Sequence, residues 1–390
     1  MTDNGVFRSF FLGGFECSTQ RRRDGRRLDL LEATGHDRLA ADDYRLLHDH
    51  GIRTMRDGLR WHRIETAPGR YDWSSFLPML QAARAQRMQV IWDLCHYGWP
   101  DDLDIWSPSF VDRFARFAGA VARLVREESD DVPFYCPINE ISFWAWAAGD
   151  AGKFAPAAHG RGGELKRQLV RAAIAAIEAI AAADPRARIA HADPLINVLP
   201  ASDRRRDREA AAGYHLAQYE ARDMLAGRLA PELGGAPDHL GLVGVNFYSD
   251  NQWVLGGPTV EFGNPRYRPL SDLLIEVWRR YERPIFLAET GAEGSARPAW
   301  LFYVCSEVRA AMAAGVPIEG ICLYPVLDYP GWENERHCDV GLLCRGQNDA
   351  RRVCAPLAEE LRRQQAIFAQ LAAERTALGS PRLGLAAAAD

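Results

Sequence analysis

The chain has 390 residues, 47% hydrophobic and 25% charged, an ordinary globular composition that leaves out the disordered and collagen-like classes. Its net charge of -5 is small for this length, so nothing global recruits nucleic acid or an anionic membrane surface, and a small molecule is the expected ligand. Residues 1–8 hold no basic region leading into an apolar stretch, and no segment approaches about 18 uninterrupted apolar residues; the cytoplasm is the expected compartment.

Short apolar runs alternate with helical stretches in chain order. Runs starting near Phe10, Thr54, Gln89 and Phe134 are followed by helical patterns over 39–50, 74–87, 108–127 and 164–183. Runs near Ala187, Leu242, Pro284 and Gly320 are followed by patterns over 208–226, 270–281, 297–314 and 356–373. Eight strands each followed by a helix predict an α/β protein with the (β/α)8 TIM-barrel fold, one domain over residues 1–375. A doubly wound open sheet would carry a glycine-rich phosphate turn after its first strand, whereas Gly13-Gly14 runs into Phe15-Glu16-Cys17. Residues 376–390, rich in Ala, Leu and Gly, are expected to fray. The eight cysteines sit mostly inside apolar runs and are expected as reduced core thiols, with Cys338 and Cys344 at the surface. Their spacing fits no zinc pattern, and no metal is expected.

Two of the predicted strands end in a glutamate: Glu140 follows Val132 to Cys136 in Pro137-Ile138-Asn139-Glu140, and Glu289 follows Pro284 to Leu287 in Ala288-Glu289-Thr290-Gly291. Acids at the C-terminal ends of barrel strands point to where such barrels do their chemistry, so a general acid and a nucleophile are expected there. Other polar and aromatic residues also follow strands: Glu16 and Gln20, Arg56 to Trp61, His96 and Trp99, Trp144 and Trp146, Tyr248 and Trp253, Asp328 and Trp332. Aromatic faces beside carboxylates and amides suit a sugar, whose C–H patches lie on rings while polar groups read its hydroxyls.

These residues resemble glycoside hydrolase family 1, the retaining β-glycosidases, from Phe10 to about Leu343. Phe11-Leu12-Gly13 through Gln20 is similar to the family's opening strand; Arg56 and Trp61-His62-Arg63-Ile64 to its second; His96-Tyr97-Gly98-Trp99-Pro100 to its His-Trp-Asp-x-Pro. Pro137-Ile138-Asn139-Glu140 resembles the acid/base signature and Asn246-Phe247-Tyr248 the sixth-strand motif. The resemblance implies Glu140 as acid/base and Glu289 as nucleophile, Arg56 and Tyr248 supporting the nucleophile, and Gln20, His96 and Asn139 binding the sugar. It departs at Thr290, where the family usually has asparagine, and at Tyr324, which replaces a tryptophan. The sugar-gripping Glu-Trp pair stands here as Trp332-Glu333, inverted and two residues late. Tyr324, Trp332 and Glu333 are the expected sugar contacts on the eighth strand, and the sugar's identity is open.

Plainer readings stand beside these. A single strand-end carboxylate is commonly a structural ion pair, His96 alone a core histidine, and Trp144 or Trp146 core under a helix. The run Arg21-Arg22-Arg23-Asp24-Gly25-Arg26-Arg27 is either solvated or a reader of an acidic substituent at the rim, and the run from Arg204 to Arg208 caps a helix face. The implied activity is hydrolysis of a terminal β-linked sugar by double displacement, with no cofactor, a glycoside or oligosaccharide as the substrate, no nucleic acid or membrane partner, and the oligomeric state open. Transglycosylation by the same glutamates, or a carbohydrate-binding barrel without turnover, is the alternative.

Overall fold

The structure, a computed structural model, describes residues 5–377. Eight parallel strands close into a barrel: β1 (Phe11–Gly14), β2 (Thr54–Gly58), β3 (Gln89–Asp93), β4 (Phe134–Cys136), β5 (Arg188–Pro194), β6 (Leu242–Asn246), β7 (Ile285–Thr290) and β8 (Ile318–Leu323). Closure is by β1, which pairs Leu12 with Thr54 of β2 on one edge and Phe11 with Ile321 of β8 on the other. The expected TIM barrel is therefore what the chain forms. Strands buried on both faces read as continuous apolar runs, and β7 is buried at all six positions.

Eight main helices surround the strands: α1 (His36–Asp49), α2 (Leu77–Ala85), α3 (Pro108–Glu128), α4 (Gly162–Ala183), α5 (Arg205–Ala217), α6 (Leu270–Tyr281), α7 (Arg297–Ala313) and α8 (Ala355–Ala377). The helix expected over 208–226 is in fact two, α5 and Glu220–Leu225. Gln218 sits at the break, where its side chain accepts from Ile196 N at 2.9 Å and donates to His215 O at 2.7 Å, tying the helix end to the loop after β5. α8 runs two residues into the stretch expected to fray, and the rest of that stretch, 378–390, lies outside the described residues.

Two apolar clusters divide the core. The smaller, with Leu12, Ile91, Phe134, Ala190, Phe286 and Cys322, fills the barrel bore, and Phe7 stops its lower end edge-on to Phe286 at 5.3 Å. The larger lies between strands and helices and holds Trp61, Phe114, Leu287 and Val304. All eight cysteines are free, and Cys338 is buried, not at the surface, because its strand, 337–338, pairs with 329–330. Among the described residues no helix is long and apolar enough to cross a membrane.

Candidate active site

A cavity of about 1160 Å³ opens at the C-terminal ends of the strands, and its wall includes Glu16, Glu140, Asn246, Tyr248, Glu289 and Tyr324. Phe143, Trp146, Tyr214, Trp253 and Trp332 form its outer, aromatic part. Trp146 and Asp150 come from a single π-helical turn, Ala145–Asp150, a departure from α-geometry that recurs at functional sites.

Glu289 owes its direction to a bulge. Phe286 and Ala288 belong to the bore while Ile285 and Leu287 face the helices, so strict alternation would send residue 289 outward. The register with β6 and β8 slips after Leu287, and it is Thr290 that faces outward, its hydroxyl donating to Phe247 O at 2.8 Å and accepting from Trp300 Nε1 at 2.9 Å. Glu289 is thereby turned into the cavity, 5% exposed, with Oε1 accepting from Arg56 Nη1 at 2.9 Å and Oε2 from Tyr248 OH at 3.0 Å. Burial pushes its carboxyl above the ordinary range, and Arg56 and His96 pull it back.

Arg56 organises the floor. Fully buried, it donates to Asp93 Oδ2 at 2.6 Å, Asn139 Oδ1 at 2.9 Å and Ala288 O at 2.9 Å besides Glu289. A planar fork with several donors suits such a hub better than an ammonium would.

Glu140 sits just past β4 with φ 47° and ψ 58°, a left-handed conformation that costs a non-glycine residue and that clusters at active sites. Its amide donates to Ala192 O at 2.9 Å, anchoring the turn to β5. Asn246 Nδ2 donates to Oε1 at 2.8 Å, and Tyr97 OH donates to Oε2. Burial, then the charge of Glu289, raise the Glu140 carboxyl to about 8, while the bonds from Tyr97 and Asn246 lower it. Among the described residues Glu140 has no cation against it while Glu289 has Arg56, so the proton the pair holds near neutrality rests on Glu140.

Beneath the wall lie Asn139 and His96. Asn139 Nδ2 is 2.9 Å from His96 Nε2 and 3.1 Å from Tyr97 OH, and His96 Nδ1 is 3.1 Å from Asp93 Oδ2 and 3.2 Å from Cys17 Sγ. Burial disfavours a charged His96, but Asp93 and Glu16 outweigh it and raise its pKa. Cys17, Asp93 and His96 bring three ligand-type atoms together, yet Arg56 already supplies a cation to Asp93 there. A second such group, Asp328, His337 and Asp339, has Asp328 engaged by the amides of Val340, Gly341 and Arg345. Gly98 permits the close seating of the His96 segment on the loop after β1: a Cβ there would lie 2.6 Å from Thr19 O.

The structure thus brings Arg56, His96, Asn139, Glu140, Tyr248 and Glu289 together and places Tyr324 and Trp332 in the cavity wall. Of the other two expected contacts, Gln20 is buried and outside the cavity lining, as His96 and Asn139 are, and its Oε1 has no hydrogen-bond partner among the described residues. Glu333 is exposed and also outside the wall, because only Trp332 of that turn packs inward, edge-on to Tyr97 at 5.6 Å. No residue of the 21–27 run is in the wall: Arg21 and Arg27 pair with Asp101, Arg22 with Glu335, and Arg26 with Asp24 and Glu335. Asp93, Tyr97 and Asn246, which contact Arg56 or Glu140, are site neighbours that the sequence reading does not single out; Tyr97 and Asn246 lie inside quoted motifs, and for Asp93 the available signal is a charged residue ending the apolar run Gln89 to Trp92.

No protein-family model matches the chain, and no curated protein matches it by sequence. Solved structures do match. A β-glucosidase from Thermotoga maritima in complex with glucoimidazole superposes with a TM-score of 0.77 at 16% identity, over 93% of this chain and 99% of that one. The AHE enzyme from Alicyclobacillus herbarius gives a TM-score of 0.77 at 17% identity, over 95% and 99%. A Thermotoga maritima family 1 glycoside hydrolase complexed with a cyclophellitol analogue transition-state mimic shares 16% identity over 92% of this chain and 98% of its own, with a TM-score of 0.75. The expected likeness to family 1 barrels is therefore present in the fold over nearly the whole chain.

Proposed function

We propose that the protein is a retaining β-glycosidase that removes a terminal β-linked sugar by double displacement. The observation that carries this is the asymmetry of the two cavity glutamates: Glu289 is held by Arg56 and Tyr248, and Glu140 has only neutral donors. Ionised Glu289 attacks the anomeric carbon while protonated Glu140 gives its proton to the leaving oxygen, forming a glycosyl ester on Glu289. Ester formation removes the Glu289 charge, one of the causes that raise Glu140, so Glu140 becomes the stronger acid and takes a proton from water as that water attacks. Arg56 then faces the departing Glu289 carboxylate as its charge returns. Every step is made by side chains of this chain, a glycoside and water.

The fold shared with a β-glucosidase bound to glucoimidazole supports a sugar in this cavity. Its volume exceeds a single pyranose, and the aromatic outer part suits an apolar leaving group. The test is a panel of aryl β-glycosides that includes glucuronide and 6-phospho forms. Hydrolysis of at least one member with Glu140 and Glu289 both required is the expected result. Glycosyl transfer to an added alcohol with little release to water would favour the transglycosylase, and binding without turnover of any member would contradict the reading.

A further inference from the structure

The wall opposite the acid/base is built from β8 and β1, since in a closed eight-stranded barrel β8 stands across from β4. Two polar groups there are left without a full set of partners. Glu16, 8% exposed, follows β1 and lines the cavity; its Oε1 accepts from Ser18 N at 3.1 Å and lies 3.8 Å from His96 Nε2. Tyr324, 2% exposed, follows β8 and lines the same wall, and its hydroxyl has no hydrogen-bond partner among the described residues. A buried hydroxyl left unpaired is costly, so one in a cavity wall points to a ligand that completes it.

The Tyr324 ring is fixed. It lies parallel to His96 at 6.4 Å and has the Arg56 guanidinium 5.2 Å from its centroid. Gly14 makes the room: a Cβ there would come within 2.1 Å of the ring. The nearby cations are already committed, Arg56 to Asp93 and Glu289, and His96 to Asp93. An anionic substituent would therefore meet Glu16 and Glu289 with no free positive charge to receive it. A sugar hydroxyl suits both groups, since it donates to the Glu16 carboxylate and accepts from the Tyr324 hydroxyl.

We propose that Glu16 and Tyr324 are the specificity-determining pair, reading hydroxyls on the side of a neutral sugar ring away from the bond that is cut. This rests on the glycosidase reading for where the ring lies. Glu16 supplies the carboxylate that the sequence assigned to Glu333, which is exposed and outside the wall, beside the eighth-strand contact already expected at Tyr324. It also makes a uronic or phosphorylated sugar a poor substrate.

The experiment compares wild type with Glu16→Gln, Tyr324→Phe and, as a control, Glu333→Gln. Neutral sugar lactams of gluco, galacto and xylo configuration are titrated by calorimetry, and kcat/KM is measured on matched aryl β-glycosides and β-glucuronides. Glu16→Gln and Tyr324→Phe should each weaken the best lactam about 10- to 100-fold, the size expected for a lost hydrogen bond to a charged or buried partner. Glu333→Gln should bind as wild type does. Glu16→Gln should also narrow the preference for neutral over glucuronide substrate by about tenfold or more. Tyr324→Phe should not lower Tm, because its hydroxyl has no partner to lose. Lactam affinities within twofold of wild type in both variants overturn the inference while leaving hydrolysis intact. Glu16-dependent lactam binding without hydrolysis of any glycoside overturns the glycosidase reading and supports the pair, and failure of wild type to bind any lactam overturns both.

Discussion

On the β4 and β7 side of the barrel mouth each carboxylate oxygen of Glu140 and Glu289 has a donor from the protein, whereas on the β8 and β1 side the Tyr324 hydroxyl has none and Glu16 has a single amide. On the proposed glycosidase reading the difference divides the work. Where charge develops during reaction, donors fixed in advance cost no reorganisation. Where a ligand must be recognised, groups left open in the empty protein are completed by binding. Substitutions on the first side should act on the chemical steps, and those on the second on affinity and choice of sugar.

The largest effect is expected at Glu289. Glu289→Ala removes the attacking group, and loss of a nucleophile costs on the order of 10⁶-fold in kcat. Added azide should then yield the α-glycosyl azide by a single inversion. A variant that kept full activity, or gave the β-azide, would break the assignment.

Glu140→Ala comes next. General acid/base assistance is worth about 10² to 10⁴-fold, so substrates with poor leaving groups should lose that much while activated aryl glycosides still form the intermediate. Azide should restore turnover as the β-glycosyl azide, readable by NMR.

A smaller effect separates the donors on Glu140. The first step needs Glu140 protonated, so kcat/KM should fall as pH rises through about 8. The bond from Tyr97 lowers the Glu140 pKa; Tyr97→Phe should therefore move that alkaline limb upward. The same shift predicts a stability effect of defined sign. Folded Glu140 holds its proton to about 8 while the unfolded chain releases it near the ordinary carboxylate value, so ionisation costs stability between those points and fully above 8. Glu140→Gln should raise Tm at pH 8.5 and leave it unchanged at pH 4. A gain at pH 4 instead would show that the carboxyl is not held protonated in the fold.

The smallest effect on activity is expected at the arginine loop. Arg27 donates to Thr19 O at 2.6 Å and Trp99 O at 3.0 Å, which ties the loop to the segment after β3. Arg27→Ala should lower stability by about 1 to 3 kcal/mol without changing the ratio of kcat/KM for neutral and acidic glycosides. That ratio should also be insensitive to salt, and a strong salt dependence would restore the loop as an anion reader.

The alternation of apolar runs and helical patterns made the barrel legible, because each unit is local in sequence; the bounds of α6, 270–281, follow from its pattern directly. The two cavity glutamates were legible because both acids end predicted strands. What could not be read was the direction of side chains where the backbone leaves regular geometry. The bulge after Leu287 turns Glu289 inward against strict alternation, and the irregular chain after Gly14 gives no pattern from which the place of Glu16 in the wall could be read. Asp93, held by Arg56 from the neighbouring strand, depends on a contact 37 residues apart that no local pattern reports.

The central claim is that Glu289 becomes covalently glycosylated, and mass spectrometry after mixing with a panel of 2,4-dinitrophenyl 2-deoxy-2-fluoro-β-glycosides tests it most directly. The account predicts one glycosyl adduct on the peptide containing Glu289 in wild type and in Glu140→Ala, and none in Glu289→Ala. An adduct on another residue, or turnover of the unfluorinated glycosides that first releases the α-sugar with no adduct at any time, would contradict it.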